Sequence, residues 1–256
     1  MDRDKLDRLF DMTGRVAIVT GGTRGIGLAL AEGYVAAGAK VVVASRKAEA
    51  CAAVQQHLVD QGGEALGVPT HLGDIDALGA LVDATVERFG RVDVLVNNAA
   101  NALTQPVGSF TPEAYEKSFD VNVRGPIFLS QAALPHLVAS GNGAILNIIS
   151  AGAFLFSAEV AMYAAGKAAM LSFTKSFAAA LAPRGVRVNA LAPGPIDTDM
   201  VRNNPQEFID AMAASTLQNR VAHPDEIVGA ALLLTSDAGS YMTGQAVGVD
   251  GGLVPR

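Results

Sequence analysis

Seven short apolar runs, at 16–20, 40–45, 65–68, 92–97, 144–150, 186–191 and 245–249, alternate with six amphipathic stretches near 25–37, 47–60, 75–89, 112–139, 160–181 and 224–235. No other property of the chain restricts its fold as much. Strands that alternate with helices in this way pack through right-handed crossovers, which gives a parallel sheet covered on both faces. The central runs, such as Val41-Val-Val-Ala44, are continuously apolar, as strands buried on both faces should be. Half of the 256 residues are hydrophobic and only 17% are charged, which suits a large core. No Ser/Gly-rich linker or short-period repeat divides the chain. The expectation is one α/β domain over 1–256, a doubly wound, seven-stranded parallel sheet, with 1–13 as an N-terminal extension.

The first run leads directly into Gly21-Gly-Thr-Arg-Gly25-Ile-Gly27, followed by apolar residues at helical spacing that close at Gly38. A strand, a glycine-rich turn and a helix in this order let backbone approach a pyrophosphate, whose charge sits at the helix N-terminus. The spacing is G-x-x-x-G-x-G rather than G-x-G-x-x-G. A glycine turn alone also reads as a plain tight turn; its place before the first strand–helix pair favours dinucleotide binding.

Tyr163 and Lys167 are four residues apart in Tyr163-Ala-Ala-Gly-Lys167, so a helix sets them on one face. A phenol ordinarily titrates near 10 and is idle at neutral pH. A neighbouring ammonium favours the phenolate, so the pairing predicts a lowered phenol usable in acid–base work. Ser150 precedes the tyrosine by thirteen positions and ends the fifth run, and ligands of open parallel sheets bind at the carboxyl ends of strands. Further upstream, Pro126 follows Asn122 by four positions inside a helical stretch. Proline has no N–H for the carbonyl at i−4, so a kink and a freed Asn122 carbonyl, with water as its partner, are expected there.

Taken in order, Thr20–Gly27, Asn97-Asn98-Ala99, Asn122, Ser150, Tyr163-Ala-Ala-Gly-Lys167 and Pro193-Gly194 resemble the single-domain branch of the short-chain dehydrogenase/reductase family, over about Thr13 to Gly252. The resemblance implies a Rossmann fold and NAD(P)-dependent interconversion of an alcohol and a carbonyl. It implies a catalytic set of Asn122, Ser150, Tyr163 and Lys167: Ser150 holds the substrate oxygen, Tyr163 exchanges the proton, and Lys167 grips the nicotinamide ribose and relays a proton through a water at Asn122. It also implies cofactor contacts from Gly21, Thr23, Arg24, Gly25, Ile26, Gly27, Asn98, Ala99, Pro193, Gly194, Ile196 and Thr198, a structural role for Asn97, and a homotetramer built on the long helices at 112–139 and 160–181 with the C-terminal strand region.

The second run ends in Ser45-Arg46-Lys47, without the carboxylate that would bind a ribose diol and repel a 2′-phosphate. Arginine forks match phosphate oxygens, so NADP(H) is the expected cofactor, held by Ser45, Arg46, Lys47 and Arg24. The plainer reading is that Arg46 and Lys47 begin a solvated helix. Relatives usually carry an aspartate after the third strand, where it holds the adenine amino group. Here the stretch is His71-Leu72-Gly73-Asp74, so His71 takes that place unless the register shifts to Asp74.

Substrate contacts are expected from the irregular region 194–222, which holds a short amphipathic piece around Glu207–Ala214 and is read as a lid, and from Ala100, Leu103, Phe154, Leu155, Phe156, Met162, Pro195, Met200 and Phe208. These are mainly apolar, so an apolar ketone, aldehyde or alcohol is expected. A 3-oxoacyl-thioester reductase is the alternative; it would want basic residues at the mouth for an acidic carrier, and Arg124 and Lys175 are the available hints. A non-catalytic NADP sensor or scaffold would be expected to lack the tyrosine or the lysine, and both are present. No metal site is expected. A net charge of −6 without a basic run argues against nucleic acid, and no apolar stretch reaches the roughly 20 residues a membrane helix needs. The N-terminus has no apolar signal segment, Val254-Pro255-Arg256 is not a peroxisomal address, and the single Cys51, read as a small buried hydrophobe, suits a reducing cytoplasm.

Overall fold

A computed structural model describes residues 2–156 and 159–254. Ser157 and Ala158, between Ser150 and Tyr163, and the last two residues of the C-terminal tripeptide lie outside the described residues. In chain order the elements are α1 (Arg3–Leu9), β1 (Val16–Thr20), α2 (Gly25–Ala36), β2 (Lys40–Ser45), α3 (Ala48–Asp60), β3 (Ala65–Pro69), α4 (Ile75–Phe89), β4 (Val94–Asn97), α5 (Pro112–Phe119), α6 (Gly125–Ala139), β5 (Ala144–Ile148), α7 (Ala161–Leu181), β6 (Arg187–Pro193), α8 (Asp199–Arg202), α9 (Gln206–Ala214), α10 (Val228–Thr235) and β7 (Ala246–Val249).

The seven strands form one sheet in the order β3-β2-β1-β4-β5-β6-β7, every neighbouring pair parallel. The order reverses between β1 and β4, and such a switch point opens a crevice at the strands' carboxyl ends. Alternate residues of the same strand serve opposite cores. Ala17 and Val19 pack with Leu30, Tyr34, Leu58 and Leu234 on one face. Val16 and Ile18 pack with Leu81, Leu129 and Leu181 on the other. That double burial is why β1 reads as an unbroken apolar run.

Two boundaries differ from the periodicity, and each has a local cause. The stretch 112–139 is two helices joined by a π-helical turn, Asp120–Arg124, with Pro126 in the first turn of α6. The proline imposes the irregularity expected beside Asn122. The fifth strand stops at Ile148, and Ser150 instead caps a 3₁₀ turn at Ala151–Ala153 by accepting from the Gly152 N–H at 3.1 Å. The region 194–222 holds α8 and also α9, which covers the amphipathic piece expected around Glu207–Ala214. Within the N-terminal segment, α1 buries nothing, whereas Met12 is fully buried in the core.

Candidate active site

The glycine turn is shaped by what a side chain would strike. Gly21 and Gly25 have φ of +64° and +53°, and a Cβ on Gly27 would come 2.2 Å from the Gly21 carbonyl oxygen. Asn98 locks the turn to β4 by donating its Nδ2 to the Thr20 carbonyl at 2.8 Å, and the Thr20 hydroxyl accepts from the Asn98 and Ala99 N–H groups. α2 starts without a side-chain cap, so its first N–H groups are left for an anion. These features fit a pyrophosphate, and the turn opens into a cavity of about 920 Å³ over the strand ends.

One cavity brings together nearly all the residues singled out from the sequence. It is lined by Gly21, Thr23, Arg24, Gly25, Ile26 and Gly27 from the turn, and by Ser45 and Arg46 from the end of β2. His71 and Leu72 follow β3, and Asn98 and Ala99 follow β4. Ser150, Tyr163 and Lys167 face the same space, as do Pro193, Gly194, Ile196 and Thr198 after β6. Lys47 does not line it; it stands at the N-cap of α3. Asn122 does not line it either, being buried behind the wall with its amide spent on Asn101 and Ser118. Asn97 ties β4 to β5 and α6 through Asn147 at 2.9 Å and Ser130 at 3.1 Å. Cys51 is a buried free thiol on α3, as a small hydrophobe would be.

At the chemical end, Ser150 and Tyr163 face each other in the cavity, and Ser150 favours the ionised phenol. Lys167, only 3% exposed, donates its Nζ to the Ile148 carbonyl at 2.7 Å and lies 5.5 Å from the centre of the Tyr163 ring. The expected lowering of the phenol is not found. Burial pushes Tyr163 above the usual phenol value, and the Ser150 hydroxyl opposes this only partly. Lys167 is itself weakened by burial, to about 8, and its ammonium is engaged with a backbone carbonyl rather than with the phenol. Desolvation therefore outweighs the expected effect of the pair.

The charged residues at the other end are arranged differently from expectation. Arg46 is exposed and lines the cavity, whereas Arg24 pairs with Asp199 of α8 at 3.1 Å across the opening. Asp74 caps α4 by accepting from the Asp76 and Ala77 N–H groups and stays out of the cavity, so His71 holds the position after β3.

The apolar wall also needs correction. Of the nine expected residues, Ala100, Leu103 and Met200 line the cavity. Phe154 packs against the core around Ile149 and Met170, Met162 is buried in α7, and Leu155, Phe156 and Phe208 are exposed without lining it; Pro195 does not line it either. Sequence reading missed Asn101, Glu113, Glu116, Lys117, Asp120, Asn203 and Asn204, which do. The spacing of Glu113, Glu116 and Asp120 is a signal that could have found these three, because positions three and four apart share a helix face; nothing comparable marks the others.

Comparison with known proteins agrees with this geometry. The family described as enoyl-(acyl carrier protein) reductase matches residues 21–254. Galactitol 2-dehydrogenase of Agrobacterium fabrum is 37% identical, covering 94% of this chain and 98% of its own. A 3-oxoacyl-[acyl-carrier-protein] reductase of Synechocystis is also 37% identical, over 95% and 98%. The crystal structure of a gluconate 5-dehydrogenase from Burkholderia cenocepacia, in complex with NADP and tartrate, superposes with a TM-score of 0.94 at 35% identity, covering 98% of this chain and 99% of that one. With the glycine turn, the parallel sheet and the Ser150–Tyr163–Lys167 group in one crevice, the chain belongs to the short-chain dehydrogenase/reductase family and is an NAD(P)-dependent oxidoreductase.

Proposed function

We propose that this protein uses NADP(H) to interconvert an uncharged, largely apolar ketone or aldehyde and the corresponding alcohol, with Tyr163 as the proton-transferring group. The observation that carries the reading is that Ser150, Tyr163 and buried Lys167, 5.5 Å from the Tyr163 ring, share one cavity with the glycine turn. When bound, the cofactor supplies or accepts a hydride. The residues that would hold it are the turn Gly21–Gly27 at the pyrophosphate, Ser45 and Arg46 at the 2′-phosphate, Lys167 at the nicotinamide ribose, and Pro193, Gly194, Ile196 and Thr198 beyond it. NADP in the Burkholderia structure supports the choice of cofactor, as does the absence of a carboxylate at the end of β2.

In reduction, Ser150 orients the carbonyl oxygen and Tyr163 donates its proton as negative charge develops there. A phenol raised by burial remains protonated at neutral pH, which suits a donor. Lys167 then returns a proton toward Tyr163, and the π-helical turn at Asn122 gives that relay its backbone exit. Oxidation reverses these steps. Ala100, Leu103 and Met200, with Ala102, Ile149 and Val201, provide an apolar wall, and region 194–222 acts as the lid. Arg24 in its pair with Asp199 would be shared between the cofactor and that lid.

A second reading is 3-oxoacyl-thioester reduction, favoured by the Synechocystis relative. Against it stand Glu113, Glu116, Asp120 and Asp199 around the cavity, with Lys117 among them, a poor welcome for an acidic carrier. Arg124 is already paired with Asp120, and Lys175 does not line the cavity.

We also place the protein in a reducing cytoplasm, with which its buried free Cys51 agrees. No helix of the described residues is long and apolar enough to cross a membrane. Half-exposed Tyr115 on α5 and Phe128 on α6 support self-association through these helices as a homotetramer, which light scattering tests. For the activity, NADPH consumption is followed with a panel of uncharged ketones, aldehydes and one 3-oxoacyl thioester. Turnover of the uncharged carbonyls is expected. Cofactor binding without consumption across the panel would contradict the reading, and turnover of the thioester alone would favour the second.

A further inference from the structure

The base end of the crevice carries an unusual polarity. A dinucleotide lying on the glycine turn sets its adenosine ribose at the end of β2, where Ser45 and Arg46 stand. Its base then lies over the neighbouring strand end, β3, where Thr70, His71 and Leu72 line the cavity. Leu72 is apolar, and Thr70 is only 4% exposed with its hydroxyl turned back to donate to the Val68 carbonyl, whereas His71 is exposed. His71 is thus the polar side chain available to the base from this strand.

Its ring is not free to choose a role. The Gly73 N–H donates to the His71 Nδ1 at 3.1 Å. A backbone N–H can only donate, so Nδ1 must be the acceptor, and in the neutral imidazole the hydrogen is on Nε2. Nε2 has no partner among the described residues. His71 therefore offers the base a donor and no acceptor. Adenine presents an amino donor at C6 next to the N7 acceptor, while a base with a carbonyl at C6 presents two acceptors. The two nearby carboxylates are engaged elsewhere. Asp74 is spent on capping α4, and Asp120, beside Gly73, is paired with Arg124 at 3.1 Å.

We infer that His71 makes the base subsite a hydrogen-bond donor, so that a dinucleotide carrying hypoxanthine, with a carbonyl in place of the C6 amino group, binds at least as well as the adenine form. This inference rests on the proposed reading of the crevice as the dinucleotide site.

The test is calorimetric titration with NADP⁺ and with nicotinamide hypoxanthine dinucleotide phosphate, at about pH 8, where free imidazole is neutral. The wild-type dissociation constants should differ by less than about threefold, or favour hypoxanthine. In His71→Asp the ratio should move toward adenine by about 5- to 20-fold, the scale of one hydrogen bond gained with the amino group and a carbonyl repelled. The substituted aspartate can still accept from the Gly73 N–H, which preserves the turn. Any general effect of the new charge falls on both ligands and cancels in the ratio. Rejection of the hypoxanthine form by the wild type by more than about tenfold, or an unchanged ratio in His71→Asp, overturns the inference while leaving NADP⁺ binding intact. If Asp120→Asn then removed that rejection, Asp120 rather than His71 would be reading the base. Failure of both dinucleotides to bind overturns the underlying site assignment as well.

Discussion

Asn122 and Asn101 exchange two hydrogen bonds: the Asn122 Nδ2 donates to the Asn101 carbonyl at 2.7 Å, and the Asn101 N–H donates to the Asn122 Oδ1 at 3.0 Å. The side chain therefore fastens the segment after β4 to the π-helical turn, and only the Asn122 backbone is left to take part in a relay. Removing the amide in Asn122→Ala strands two backbone groups of Asn101 and the Ser118 hydroxyl. The expected loss is about 1–3 kcal/mol, the scale of leaving one buried and two partly buried polar groups unpaired. Thermal denaturation checks it. A variant as stable as the wild type would show that this exchange holds nothing in place.

The pH dependence follows from two buried groups. Tyr163 is raised by burial, so it stays protonated through neutrality and remains a donor for reduction. Lys167 is lowered to about 8, so its ammonium is lost as pH rises through that value. Reduction should be steady at neutral pH and decline above about 8, as the group that reloads Tyr163 loses its proton. Alcohol oxidation needs the deprotonated phenol and should increase with pH over the same range. Rates of both directions measured across the range check the signs. Reduction that climbs steadily with pH would contradict them.

Arg46 lies exposed at the end of β2 without an ion-pair partner among the described residues, whereas Arg24 is paired with Asp199. Arg46→Ala should therefore lower kcat/KM with NADPH by about 10- to 100-fold, as loss of a charge-assisted phosphate contact does. The value with NADH should hardly change. Equal losses with both cofactors would remove Arg46 from the 2′-phosphate.

Much of this site was legible because its signals are local. Gly21, Gly25 and Gly27 mark a turn in which backbone conformation and close approach exclude side chains. Tyr163 and Lys167 meet through helix geometry alone. The π-helical turn beside Asn122 follows from one proline. What escaped depends on long-range packing. Phe154 turned into the core around Met170 and Phe156 became fully exposed, and nothing in their hydrophobicity distinguishes these fates from a pocket wall. The rise of the Tyr163 phenol depends on how deeply the tertiary structure buries it, which the Tyr–Lys spacing does not encode. Likewise Arg187, buried at the start of β6, donates to the Leu234, Ser236 and Gly239 carbonyls, partners fixed only when the chain after α10 folds back.

The most direct test is Tyr163→Phe, which removes one oxygen and leaves the ring that packs beside Lys167. The titrated dissociation constant for NADPH should stay within about threefold of the wild type, while kcat for carbonyl reduction falls by about 10²- to 10⁴-fold, the usual contribution of a positioned proton donor. A variant that binds NADPH normally and keeps more than about a tenth of the wild-type kcat would contradict the assignment of proton transfer to this phenol.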